Sequence, residues 1–206
     1  MVGSMEIDGL KIEWLGHSSF KINNIYLDPY IIPKNASKAS IILITHDHYD
    51  HCDPLRVSQL TDDSTTIITT QKCSQRLDGN IKVIKPGQKI KVSNTLIEAI
   101  DAYNLNKNFH MKGDGVGFIL TVNNKRIYHA GDTDLIPEMS QLKNIDVALL
   151  PVGGTYTMNA VEAAEACNMI KPKIVIPIHY GSIVGSQKDA ETFKSLVNKN
   201  IKVKIL

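Results

Sequence analysis

Apolar positions in this chain fall mostly in short runs broken by turn residues. Residues 10–15 and 19–22 read as strands, Asn23-Asn24 as a hairpin turn, and residues 25–27 as a strand that Asp28-Pro29 ends. Residues 41–44 are apolar at every position, the pattern of a strand buried on both faces. Asp53-Pro54 predicts a helix start, with Asp53 as N-cap and Leu55, Val57 and Leu60 as its apolar side. Further strands are expected over residues 65–69, 81–84, 89–92 and 96–99. Residues 117–123 and 125–130 flank a second hairpin turn at Asn123-Asn124.

The last third mixes the two periods. Residues 135–142 read as a short helix and 147–151 as another buried strand. Residues 159–170 are rich in alanine, which favours helix, and Asn159 suits the N-cap. A strand over 174–178 runs into His179, a helix follows over 188–198, and a strand over 201–206 ends the chain. Many strands with helices behind several of them predict an α/β fold: an αββα sandwich of two mixed β-sheets with helices on the outer faces, in one domain over residues 1–206. An added leader over residues 1–4, ahead of a natural start at Met5, is one reading of the N-terminus.

Composition narrows the function classes. The 206 residues are 43% hydrophobic and 21% charged, ordinary values for a soluble globular domain. The formal net charge of +2 gives no support for bulk electrostatic binding of nucleic acid. No apolar run approaches the roughly 18–20 residues that cross a bilayer, and no signal-peptide core is visible. Cys52, Cys73 and Cys167 are odd in number and widely spaced, without a Cys-x-x-Cys. That pattern predicts neither a disulfide framework nor a thiolate metal site, so a reducing cytoplasm is expected.

The chemistry concentrates where apolar strands stop. His46-Asp47-His48-Tyr49-Asp50-His51 places three histidines and two carboxylates in six positions, directly after the apolar run ending at Ile44. Imidazole with carboxylate suits zinc, iron or manganese. Gly131-Asp132-Thr133 and His179 follow two other apolar runs. Three such clusters at strand ends can converge on one edge of a sheet.

The segment His46-Asp47-His48-Tyr49-Asp50-His51 resembles the HxHxDH motif of the metallo-β-lactamase superfamily, and Gly131-Asp132-Thr133 and His179 resemble its later motifs. The chain is similar in particular to a branch of small metal-dependent hydrolases related to ascorbate-6-phosphate lactonase. Leu15-Gly16-His17-Ser18-Ser19-Phe20, Leu150-Pro151-Val152-Gly153-Gly154 and Pro177-Ile178-His179-Tyr180 carry that likeness. The resemblance implies that His46 and His48 bind one metal, that Asp50, His51 and His179 bind a second, and that Asp132 bridges them. Two zinc ions are expected, with manganese or iron as alternatives. The family's third histidine in an Ala-x-His segment is replaced here by Ala102-Tyr103-Asn104. An amide oxygen is a poorer zinc ligand than imidazole, so His110 is the preferred substitute and Asn104 the alternative.

The expected activity is hydrolysis of an ester, lactone or phosphoester by metal-activated water. Asp50 would orient the nucleophile or carry its proton, and His17 and Tyr180 would contact substrate. Lys107 and Lys112 could line a pocket for a small, anionic substrate, although solvated lysines are the commoner pattern. A phosphodiesterase or nuclease, an iron-dependent redox member and a non-catalytic metal sensor or scaffold are the competing classes. A homo-oligomer is a weaker expectation from the family.

Overall fold

The computed structural model describes residues 3–206, and among these fourteen strands form two seven-stranded sheets. The first sheet holds β1 (Gly3–Ile7), β2 (Leu10–Gly16), β3 (Ser19–Ile22), β4 (Ile25–Leu27), β5 (Ile41–Ile44), β6 (Thr66–Thr69) and β7 (Asn80–Val83) in that order. The second holds β8 (Lys89–Val92), β9 (Thr95–Ala102), β10 (Gly115–Val122), β11 (Lys125–His129), β12 (Val147–Pro151), β13 (Ile174–Ile178) and β14 (Lys202–Val203), again in chain order. Each sheet begins as an antiparallel meander and finishes with parallel strands.

Side-chain alternation explains the layers. In β5, Ile41 and Leu43 point between the sheets, where they join Phe20, Phe118, Leu120 and Leu149. Ile42 and Ile44 point the other way, onto α1 (Pro54–Leu60) and the residues around α2 (Gln71–Ser74). Opposite, α3 (Ala160–Ile170), α4 (Gln187–Leu196) and a 3-10 turn at Pro137–Gln141 cover the second sheet. The order is helix, sheet, sheet, helix, as the pattern predicts.

The local signals set the element ends. Asp53 Oδ1 accepts from the backbone N–H groups of Leu55 and Arg56, starting α1 at Pro54. Val57 and Leu60 are buried, but Leu55 points outward, against expectation. Asn159 and Glu162 form a reciprocal capping box at α3, an interaction worth about 1 kcal/mol. Both predicted Asn-Asn hairpin turns are present, with Asn123 and Asn124 both at positive φ.

Four expectations need correction. The predicted helix over 135–142 is the 3-10 turn, opened by Pro137. The last strand shrinks from 201–206 to Lys202–Val203. β1, which alternates partly buried and exposed positions at the sheet edge, was not predicted. It includes Gly3 and Ser4; Met1 and Val2, the rest of the expected leader, lie outside the described residues. Finally, Cys52 and Cys73 are joined as a disulfide across 21 residues. Their wide spacing hid this because β5 and β6 are parallel neighbours, so the segments leaving their C-terminal ends run side by side. Cysteine usage therefore no longer argues for a reducing compartment. Cys167 is free and buried. No helix among the described residues is long and apolar enough to cross a membrane.

Candidate metal centre

The C-terminal ends of β5, β11 and β13 open at the same edge of the sandwich. His46, His48, Asp50 and His51 leave β5, Asp132 follows β11, and His179 follows β13. The β2–β3 turn adds His17, and the β9–β10 loop adds His110. Three overlapping groups result: His46, His48 and His110; His46, His51 and Asp132; and His17, Asp50, His51 and His179.

Asp132 is the hub. Its Oδ1 lies 3.3 Å from His51 Nε2. Its Oδ2 lies 3.1 Å from His179 Nε2, 3.4 Å from His110 Nε2 and 4.0 Å from His46 Nε2. Asp50 Oδ2 stands 3.6 Å from His51 Nε2 and 3.9 Å from His179 Nε2. Burial alone would raise the Asp132 pKa, but His179 and His51 overcome it and hold the carboxyl well below the usual range. Asp50 is lowered in the same way, with His17 and His51 outweighing burial.

Two of the rings are fixed from behind. His51 Nδ1 is 2.7 Å from the fully buried Asp28, which also accepts from the Thr45 N–H at 2.7 Å and its hydroxyl at 2.8 Å. Burial would lower the His51 pKa, but Asp132 and Asp28 reverse that and lift it well above its ordinary value. His46, whose Nδ1 meets only the Thr45 hydroxyl at 3.0 Å and no carboxylate, is held well below its ordinary value by burial and the nearby His51. His110 Nδ1 is 3.0 Å from Asn104 Oδ1, and the same oxygen accepts the His110 backbone N–H at 3.0 Å. Asn104 Nδ2 donates to Asp134 at 3.1 Å and to the Tyr156 carbonyl at 2.9 Å. Asn104 therefore turns its oxygen toward the His110 ring, and His110 Nε2 faces His48 Nδ1 at 3.1 Å.

The backbone is bent to make this possible. His17, Asp28 and His179 all lie at positive φ, at 52°, 42° and 58°. Asp and His tolerate that region better than most residues, but three instances in one site mark a backbone held by its surroundings. Two glycines give room. A Cβ on Gly153 would stand 2.3 Å from the His179 carbonyl oxygen, and one on Gly131 would crowd Thr45 and the Val116 carbonyl.

Not every expected residue reaches the opening. His17 is buried and bonds Asp50 Oδ2 at 2.9 Å, so it sits behind the carboxylate and does not line the cavity. Tyr180 is also buried; its ring stacks on Trp14 at 5.2 Å and does not line the cavity. Lys107 binds Asp134 at 2.5 Å and the Thr157 carbonyl at 2.8 Å, and Lys112 binds Glu138 at 2.7 Å. Asp28, Thr45 and Asp134 were missed in the sequence. Asp28-Pro29 reads there as a strand end, and nothing local reveals that its carboxylate meets a ring 23 positions away.

The residues fit a resident metal. His46 Nε2, His51 Nε2, both ring nitrogens of His179 and Asp132 Oδ1 are buried without a hydrogen-bond partner. Buried polar atoms are normally paired, so a convergent set of unpaired donors is suited to a cation. An open cavity of about 260 Å³ leads to them, lined by His48, Asp50, His110 and Asp132 with Tyr49, Phe109, Tyr156 and Ile183.

Comparison with known proteins agrees with this geometry. The Beta-lactamase superfamily domain matches residues 11–179. A UPF0173 metal-dependent hydrolase of Caldivirga maquilingensis is 34% identical over 90% of this chain and 88% of its own. A crystal structure from Parabacteroides distasonis, of a protein provisionally assigned as a metal-dependent hydrolase, is 37% identical, covers 100% of this chain and 97% of its own, and has a TM-score of 0.87. Igni18, a metallo hydrolase from Ignicoccus hospitalis, is 26% identical over 96% of this chain and 94% of its own, with a TM-score of 0.76. The fold, the unpaired donors and these likenesses converge: the chain belongs to the β-lactamase superfamily, among its metal-dependent hydrolases.

Proposed function

We propose that this enzyme is a binuclear hydrolase of esters or lactones of small size. His46, His48 and His110 would hold one divalent ion, and Asp50, His51 and His179 a second, with Asp132 between them. Zinc suits this set of imidazoles and carboxylates, and manganese or iron are alternatives. Bound there, the ions would supply an acidified water and a Lewis acid for the scissile carbonyl.

The chain's own residues do the rest. Asp50 lines the cavity and accepts a hydrogen bond from buried His17. It is placed to accept the proton that the attacking water loses, and His17 holds its Oδ2 in position as a positioning residue. Asp28 fixes the His51 ring, so that Nε2 alone faces the cluster. The site walls exclude bulk water on the protein side, since His46, His51, Asp132 and His179 are all buried.

The observation that carries this reading is the set of unpaired buried atoms converging on Asp132. The test is Asp50→Ala, assayed on 2-naphthyl acetate and simple lactones. We expect turnover to fall by about a hundredfold or more, a far larger effect than any on folding. Near-normal turnover by a folded, metal-replete variant would rule out this role for Asp50.

A further inference from the structure

We propose that the cavity selects uncharged substrates that carry an aromatic or similarly flat apolar group beside the bond cleaved; this rests on the hydrolytic reading above. The mouth is built from exposed apolar side chains. Tyr49 is 61% exposed, Phe109 49% and Ile183 37%, and all three line the opening. Singly exposed apolar residues are ordinary, but a group of them around a polar, ligand-bearing floor is not. Their rings are also pre-arranged. Phe109 meets Tyr156 edge-to-face at 4.7 Å, and Tyr49 meets Tyr30 edge-to-face at 5.9 Å. These two pairs set aromatic faces beside the opening, where an aromatic guest gains apolar contact.

Charge points the same way. No lysine or arginine lines the cavity. Arg56 lies in the adjoining cavity that shares Ile183 and is 3.9 Å from Asp53, and four further basic residues are engaged. Lys107 is bound to Asp134, Lys112 to Glu138 with its ammonium 4.7 Å from the Tyr103 ring centre, and Lys72 to Asp114. Arg76 donates to the Asp47 carbonyl. A phosphate or sulfonate on the outer part of a substrate would lose its hydration at this rim without meeting a free cation. A neutral ring would instead bury apolar area against Tyr49, Phe109 and Ile183.

The reaction balances without a further reagent. With 2-naphthyl acetate, water adds its oxygen to the acetyl carbon and the acyl C–O bond breaks. Acetate and 2-naphthol leave, and the proton released passes through Asp50.

The experiment separates recognition from turnover. Binding of N-(2-naphthyl)acetamide and of its 6-sulfonate to the metal-loaded protein is followed by ligand-observed NMR. Hydrolysis of 2-naphthyl acetate and ethyl acetate is measured alongside. We expect the neutral amide to bind about tenfold more tightly than the sulfonate. In the Tyr49→Ala, Phe109→Ala double variant that binding weakens about tenfold, and the preference for the naphthyl ester over ethyl acetate falls to match. Neither side chain belongs to the buried core, so the variant keeps it. Equal or tighter binding of the sulfonate, or unchanged binding in the double variant, would overturn the inference. Selective binding of the neutral amide with no turnover of either ester would support it while removing the hydrolytic reading.

Discussion

His51 and His110 sit at opposite ends of one cluster, yet their rings are held by different means. His51 is fully buried and is gripped by Asp28, a carboxylate with no exposure that is itself held by the Thr45 backbone and hydroxyl. His110 is held by the neutral oxygen of Asn104, inside the loop between β9 and β10, and it faces the exposed His48. A carboxylate behind an imidazole raises its basicity, whereas an amide orients it with less electrostatic gain. The end built around Asp28 is rooted in two strand ends, β4 and β5, and the end built around Asn104 is rooted in a loop. On the proposed binuclear reading, the two positions would differ in strength, with the His46–His48–His110 position the weaker.

The comparison can be broken most sharply at Asp28. Asp28→Ala is expected to weaken metal binding at the Asp50–His51–His179 position by about 10- to 100-fold, measured by competition with a chromophoric chelator. The other position should keep its affinity; equal losses at both would show that they are not separately supported. Asn104→Ala should act on the opposite end and less strongly, by about tenfold, because a neutral acceptor is lost. A drop confined to the Asp28 end in that variant would reverse the assignment.

The smallest effect lies outside the cluster and serves as its control. Burial would raise the Glu98 pKa, but Lys89 and Arg126, each at 2.6 Å, outweigh burial and lower it below its ordinary value of 4.5. Its pairing therefore stabilises the fold above about pH 4.5 and is lost as pH falls through the lowered value. Glu98→Gln should flatten the acid limb of a thermal-denaturation series below that pH and leave metal binding at neutral pH alone. A change in metal affinity would mean that the two regions are coupled.

The sequence exposed the parts of this site that depend on local chain direction. An all-apolar strand such as residues 41–44 must end where polar residues begin, so His46 to His51, Asp132 and His179 are visible as chemistry at strand ends. The layer order follows from the same alternation. What stayed hidden depends on contacts between distant segments. Asp28 looks like a turn residue until β4 lies beside β5. Asn104 looks like a poor ligand until its oxygen is seen on the His110 ring. Tyr180 follows His179 in sequence, but its ring turns into the core and stacks on Trp14, a contact between segments far apart in the chain. Cys52 and Cys73 look unrelated until two parallel strands bring their following segments together.

The proposed binuclear site has two metal positions sharing Asp132, with His110 serving only the weaker one. Metal content by inductively coupled plasma mass spectrometry, on wild type and His110→Ala after incubation with zinc and removal of excess, tests it most directly. About two metals per chain are expected in the wild type and about one in His110→Ala. One metal or none in the wild type, or no change in His110→Ala, would contradict it.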